Sequence, residues 1–440
     1  MKTLNTPSYL LIIALAAMAE AAYGSQPPDV VTSDDNNNTA MGTNALLSLS
    51  AGYGANTAAG SNALFFNTTG EYNTATGSET LYYNSSGGNN SGFGAGALDS
   101  NTTGSYNTAM GSDALQLNQT GGANTATGMY ALNHNQANNN TATGYAALEY
   151  NDNGTSNTAA GFGALYNNLS GNNNTASGYD SLVLNTTGGN NTASGYEALY
   201  NNSTGNYNNA SGYFALYGNT TGSQNSASGV QALFSNKTGN YNTASGTDAL
   251  YSNKSGSSNI AEGYKAGYNL TTGSNNIDIG NLGAAGESNT IRIGTTSTQA
   301  ATYIAGIYGT SVTGNAVVVS STGQLGVTVS SERFKTAIAP MGSKTAKLQQ
   351  LRPVTFKLKS DATGKQQYGL IAEEVAKVYP ELVIRDGDGR IDGVRYDELA
   401  PMLLNETQQQ AARIRNLEHQ VTEMHAVLAK LRKDVLVSER

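Results

Sequence analysis

Asn191-Thr192-Ala193-Ser194-Gly195-Tyr196-Glu197-Ala198-Leu199 is one statement of a phrase, Asn-Thr-Ala-x-Gly-x-x-Ala-Leu, that runs through most of the chain. Its glycine recurs at 42, 60, 77, 94, 111, 128, 144, 161, 178, 195, 212, 229, 246, 263 and 280. This is a 17-residue ruler with one interval of 18 (42 to 60) and one of 16 (128 to 144). Leu stands four residues after each of the first thirteen glycines, from Leu46 to Leu250, and Ala two residues before twelve of them, Gly92 being the exception.

Chains rich in Gly, Asn, Ser and Thr usually stay disordered, because they bury too little apolar surface to offset chain entropy. Disorder gives no reason to hold Leu at one offset thirteen times. A stacked solenoid does: each repeat is one coil, equivalent residues lie above one another, and Leu and Ala build a narrow core. The density of Gly and Asn excludes helices, which leaves short strands joined by turns. Stretches such as Asn67-Thr68-Thr69-Gly70 and Asn101-Thr102-Thr103-Gly104 are expected to form the corners, with Gly taking positive φ there and stacked Asn side chains hydrogen-bonding along the axis. Fifteen coils at an interstrand spacing of ~4.8 Å make a rod of about 70 Å. One Leu and a few Ala per coil is a thin core, so several chains are expected to share it.

Charge separates this body from the C-terminal quarter of the chain. Residues 331–440 hold 18 of the 23 Lys+Arg and 15 of the 31 Asp+Glu, so the net charge of −8 comes from the body, the C-terminal part being slightly basic. A weakly acidic, Arg-poor body excludes nucleic acid as a partner, because phosphate binding needs clustered cations. The absence of Cys removes disulfides and thiolate chemistry. His134, His419 and His425 are too scattered for a metal site, no dinucleotide or phosphate loop is present, and neither metal nor cofactor is expected. At the N-terminus, Lys2, the apolar run Leu10–Met18 and Ala19-Glu20-Ala21 read as an export signal over 1–21. The protein is therefore expected outside the cell or on its surface, with no transmembrane span in the mature chain.

The repeats, over about residues 36–294, resemble the heads of trimeric autotransporter adhesins (YadA-like), which share the Asn/Ser-x-Ala-x-Gly phrase. The resemblance implies a left-handed parallel β-roll, three of which pack side by side. The period here is longer than is usual there, and a different domain stands where that family has its membrane barrel. Tyr145, Tyr179, Tyr196, Tyr200, Tyr213, Tyr217 and Tyr251 follow the repeat Gly or Leu. They are read as strand residues of an exposed face or subunit interface, a glycan-binding ladder being the other reading. From Ser274 the pattern shifts to period two in Ile277–Gly280, Thr290–Gly294, Tyr303–Tyr308 and Ala316–Val319, read as a β-rich neck over 275–329.

Beyond it the sequence is that of an ordinary globular domain: a Lys-rich helix through Leu351, a strand at Pro353–Leu358, the block Gly369-Leu370-Ile371-Ala372-Glu373-Glu374-Val375, then Tyr379–Val383 and the strand-like Ile391–Tyr396. With the opening Ser330-x-x-Arg333-x-Lys335 and Leu351–Phe356, these blocks resemble the intramolecular chaperone, a self-processing peptidase domain at the C-terminus of phage endosialidases and other tail spikes. The resemblance implies an α+β domain over 330–400 that holds three chains together while the fibre folds. It then cuts itself off through a dyad of Ser330 and Lys335, next to Ser330 at the Ser330–Ser331 bond. A serine hydroxyl needs a base, and lysine serves only when neutral, which requires burial or neighbouring positive charge. Arg333 could supply such charge, a trimer interface the burial, and Glu373 and Glu374 could orient the pair or simply start a helix. Ser331 stands where the family commonly has Asp.

Residues 401–440 carry a heptad seam of Ile414, Leu417, Val421, Met424, Leu428, Leu431 and Val435. It is read as a coiled coil of three chains, an amphipathic helix lying on its own domain being the alternative. The whole is expected to be a secreted homotrimeric fibre or adhesin, mostly β: a parallel β-solenoid over 36–274, a neck, a small chaperone domain and a terminal helix. Its partner is itself, with surface glycans or other surfaces as possible ligands and no nucleic acid. The alternatives are a fibre with a permanent, uncut trimerisation cap and a polysaccharide-degrading spike.

Overall fold

The computed structural model describes residues 32–50, 54–296, 298–305, 313, 316–320, 322–386 and 388–438, with side chains to 434. The expected export signal lies outside the described residues. Two compact units divide at Ile304/Ala305.

The first unit is a parallel β-solenoid with one coil per repeat. Its strands, three residues long after a first one of two, form, among the described residues, a 17-stranded sheet. Thr32–Ser33 opens it antiparallel to Thr39–Met41. After that each strand pairs in parallel and in register with the next coil, as Thr192, Ala193 and Ser194 do with Asn209, Ala210 and Ser211. The middle residue points inward and the flanking hydroxyls outward, which is the alternation a strand imposes. Inside, Ala193, Ala198 and Leu199 are fully buried, and so are their equivalents from Ala58 to Leu250. The coil closes around them within one chain. The expectation that several chains share this core is therefore corrected: Ala is small enough for the backbone itself to wall it.

The remaining interior is polar. Two Asn columns run the length of the shaft, one before each strand (Asn191, Asn208, Asn225) and one at each corner (Asn185, Asn202, Asn219), all buried. The corner prediction holds in that Asn67 and Asn101 donate to the carbonyls of Gly70 and Gly104, each at 3.0 Å. It fails on the conformation of those glycines, which do not lie in the left-handed region. Gly205, at the same corner position, is small because a Cβ there would lie 2.3 Å from the Gly222 carbonyl oxygen of the next coil. Positive φ falls instead on the repeat glycines (Gly195, +137°) and on three non-glycine residues of the coil, Glu197, Leu199 and Tyr207. A left-handed Leu costs about 1–2 kcal/mol locally. In return its amide points along the axis, and Leu199 donates to the Ala215 carbonyl at 3.0 Å.

Where the ruler shortens to 16, His134–Asn135 pairs in parallel with Tyr150–Asn151 as a separate two-stranded ribbon. The sheet does not stop at 274: Ile277–Ile279 and Ile291–Ile293 continue the ladder, so the boundary placed there falls inside the solenoid. No strand forms at Tyr303–Ile304, and 306–308 lies outside the described residues.

In the second unit Val317–Val319 and Leu325–Val327 form an exposed hairpin. The expected Lys-rich helix is two 3-10 turns, Gly342–Thr345 and Leu348–Gln350. Pro340, Gly342 at φ +54° and Pro353 leave too short a run for an α-helix. Two antiparallel hairpins follow, Val354–Phe356 with Gln367–Gly369 and Val383–Arg385 with Ile391–Val394. Helix α1 (Ala372–Val378) lies between them, and α2 (Tyr396–Ser438) ends the chain, starting five residues before 401. Val375, Tyr379, Leu382, Val383, Val394 and Leu348 make the core.

Candidate functional site

The site begins where the chain enters the small domain. Ser330 is followed by a 3-10 turn, Glu332–Phe334, closed by the Phe334 and Lys335 amides on the carbonyls of Ser331 and Glu332. After the turn the backbone is extended at Lys335 (φ −117°, ψ 147°). This compact step brings residues five apart in sequence side by side, and Lys335 Nζ donates to Ser330 Oγ at 3.2 Å. Ser330 through Pro340 are all exposed in the single chain. The pair thus has the contact a serine nucleophile and its base require, but not the burial that would favour a neutral amine.

The supporting residues fall in different places. Arg333 lies over the Phe334 ring at 4.7 Å. Glu374, in the first turn of α1, accepts from Arg352 NH2 at 2.6 Å and from its Nε at 3.2 Å. That hydrogen-bonded guanidinium holds the Glu374 carboxyl below the usual range. Glu374 thus ties α1 to the Leu351–Phe356 segment. Glu373 is exposed beside it.

Around this, hydrogen bonds tie the terminal helix and the hairpins together. Tyr379 Oη donates to the Lys344 carbonyl at 3.1 Å, and Tyr396 Oη accepts from the Leu370 amide at 2.8 Å. Buried Thr345 and Glu406 meet at 3.3 Å, and Asn405 Nδ2 reaches both Thr345 Oγ1 (2.6 Å) and the Gly342 carbonyl (2.9 Å). The first third of α2 is therefore fixed to the domain. From Ala412 to the last described side chain every residue is exposed, including Ile414, Leu417, Val421, Met424, Leu428 and Leu431, each at 44% or more. The alternative of a helix lying on its own domain fails there, since an apolar seam stands open to water. The Val435 side chain lies outside the described residues. At the base of the helix an apolar cleft of about 490 Å³ is lined by Leu348, Leu351, Val354, Leu370, Tyr396 and Leu399, among others.

Residues 330–384 match the family model of the chaperone of endosialidase. The matched residues thus cover the Ser330–Lys335 turn, the first hairpin and α1, and end inside the strand Val383–Arg385. Comparison with curated proteins and with solved structures gave no match. Among the described residues no group of His, Cys, Asp or Glu is placed to hold a metal, and no helix is long and apolar enough to cross a membrane.

On the shaft the aromatic residues form two rails. Tyr145, Phe162, Tyr179, Tyr196 and Tyr213 stack at centroid spacings of 5.0–5.3 Å, and Tyr200, Tyr217, Phe234, Tyr251 and Tyr268 at 5.1–5.3 Å. Each ring covers its neighbour's face, so edges and hydroxyls meet the solvent. A sugar ring stacks on a free aromatic face, which the rails do not offer within a column. Their stacking adds about 0.5–1.5 kcal/mol per pair. A hydrogen bond with Glu197 raises the Tyr196 hydroxyl to about 12. Sequence reasoning passed over one residue, Asp278, whose position in the Ala column was the available signal.

Proposed function

We propose that the protein is one of three chains of an exported fibre, and that its C-terminal domain assembles the fibre and then releases itself by cutting next to Ser330. The match of residues 330–384 to the chaperone of endosialidase carries this reading. A shaft of near-identical coils and an open heptad seam fit it, the seam serving as the clamp that aligns three chains. Ser330 Oγ is the nucleophile and Lys335 the base, and the 3.2 Å contact between them supports those roles. Covering of the exposed turn by neighbouring chains would supply the desolvation lysine needs, so that cutting follows assembly. The shaft is left to display its surface for attachment.

The test is intact-mass analysis of the expressed full chain beside Ser330→Ala and Lys335→Ala. A fragment of about 110 residues in the wild type, absent in both variants, supports the reading, and its mass fixes the cut bond. A wild-type chain that stays whole while forming trimers reduces the domain to a permanent cap.

A further inference from the structure

Every coil from Ala58 to Ala261 has a small apolar residue at the middle of its strand, facing the core. At the next coil the position is Asp278, 1% exposed, and neither carboxyl oxygen has a hydrogen-bond partner. It is the next residue in the register column after Ala261 and is followed there by Arg292. A carboxylate in such a place is unfavourable unless paired, whereas the neutral acid is tolerated. Arg292, the obvious partner, is turned away: its Nε and NH2 donate to Glu287 at 2.9 and 2.6 Å.

Glu287 is what closes the last turn of the shaft. Its Oε1 accepts from the Ala284 amide at 2.6 Å, and its carbonyl accepts from Asn276 Nδ2, the last rung of one Asn column, at 2.9 Å. The segment it closes has open space at Gly280 and Gly286, where a Cβ would meet nothing within 4 Å, and lies on the buried acid at Gly283, where one would stand 2.8 Å from Asp278 Oδ2. Two acids therefore stand around one guanidinium, and the buried one has none of it. Of the other charged groups nearby, Glu262 points outward from its strand and Lys265 lies over the rings of Tyr264 and Tyr268.

We propose that Asp278 is an acid-set latch on the last coil of the shaft: protonated, it leaves residues 280–294 closed over the core, and ionised, it opens them by drawing Arg292 away from Glu287. Burial first, and the neighbouring Glu287 charge second, push the Asp278 carboxyl up to about 6, with Arg292 opposing. The sign follows from linkage. The closed form holds the proton more tightly than the open one, so closure is complete below the ordinary carboxylate value near 4. It weakens as pH rises through about 6 and is constant above. Such a latch would leave the coil tight in acidic surroundings and loose at neutral pH.

Hydrogen exchange on the full chain tests this, comparing peptides covering 277–294 with the coil 192–211 at pH 4 and pH 7.5 after correction for intrinsic rates. In the wild type, protection of 277–294 relative to the control coil should fall about 50-fold between the two pH values, the ratio for a shift of two pKa units less the part already lost at pH 4, where the open form is half ionised. Asp278→Asn should hold one value at both, and so should Asp278→Ala, which restores the residue of the other coils and guards against an Asn variant that fails to close. A wild-type ratio that does not change with pH, or the same change in both variants, overturns the latch.

Discussion

Asn202 and Asn208 are the same residue type, in the same coil and equally buried, yet their loss should have different consequences. Asn202 Nδ2 donates to Asn185 Oδ1 (2.8 Å) and the Gly205 carbonyl (3.0 Å), and its Oδ1 accepts only from Asn219 Nδ2 (2.7 Å). Truncation to Ala strands no backbone group: it leaves one side-chain acceptor, Asn185 Oδ1, without its donor, as Asn253 Oδ1 already is at the end of this column. Gly205 keeps the bond from Asn191 Nδ2 and Asn219 keeps the Gly222 carbonyl, at 2.8 and 2.9 Å. Asn208 differs at one atom: its Oδ1 accepts from the backbone amide of Asn225 at 3.0 Å as well as from Asn225 Nδ2 at 3.1 Å. The amide has no other acceptor among the described residues. Asn208→Ala strands a buried backbone N–H, at about 1–3 kcal/mol, where Asn202→Ala strands a side-chain oxygen, the better tolerated of the two; lost packing and weakened bonds are common to both variants.

The expected order is thus Asn202→Ala at about 1–2 kcal/mol and Asn208→Ala at about 3–4 kcal/mol. Urea unfolding of the full chain, followed by tyrosine fluorescence since there is no Trp, gives the comparison. Hydrogen exchange of the coils on either side shows whether the loss stays local, as a chain of nearest-neighbour contacts requires. Equal effects, or a larger one at Asn202, would refute the claim that the pre-strand column holds the backbone while the corner column mainly fills space.

Gly195→Ala should cost at least as much as Asn202→Ala, at about 3 kcal/mol or more, because the new Cβ lies 2.5 Å from the Gly212 carbonyl oxygen at φ +137°. Gly286→Ala, also left-handed but in open space, should cost only about 1 kcal/mol, and thermal unfolding ranks the two. Leu417→Asp with Leu428→Asp should turn an assembled chain into monomers by sedimentation equilibrium while the core around Val375 stays folded. An unchanged assembly would remove the seam from the oligomer contact.

What was legible in the sequence was whatever repeats. The period, the parallel ladder and the Leu and Ala core follow from thirteen phase-locked leucines, because a fixed offset has meaning only if coils stack. The conformation of the coil was not legible. Left-handed Leu199 and Glu197 contradict local preference, and only the axial hydrogen bonds, which no single repeat contains, offset that. The corner glycines were misread for the same reason, since the atom that forbids a side chain at Gly205 belongs to the next coil. In the second unit the Ser330–Lys335 pair was marked by the family resemblance alone, and the 3-10 turn that sets their contact was not read from the sequence. Nor were the 3-10 turns at 342–350, because Lys and Gln at helical spacing outweigh one Gly on paper and lose to the flanking prolines in space.

Regularity also creates the difficulty that a chaperone domain would answer. Most coils can accept either neighbour's place, since Ala, Leu and both Asn columns recur at one spacing, so a slip of 17 residues keeps nearly every contact. Parallel pairing with such degenerate register is slow to settle. The features that break the degeneracy sit at particular coils. One is the 16-residue interval, where Ala137 takes the place of the corner glycine as the acceptor for Asn124 and Asn135 and the His134 ring stacks on Tyr150 at 4.7 Å. The other is the last coil, where Asp278 interrupts the Ala column. A slipped chain would bury His134 or Asp278 against the wrong neighbours, which raises its energy, but only after the chain has wound far enough to bring those coils into contact. Three chains held in a common phase at their C-termini would meet the Asp278 coil first, and winding from that end would set the register before the degenerate coils form.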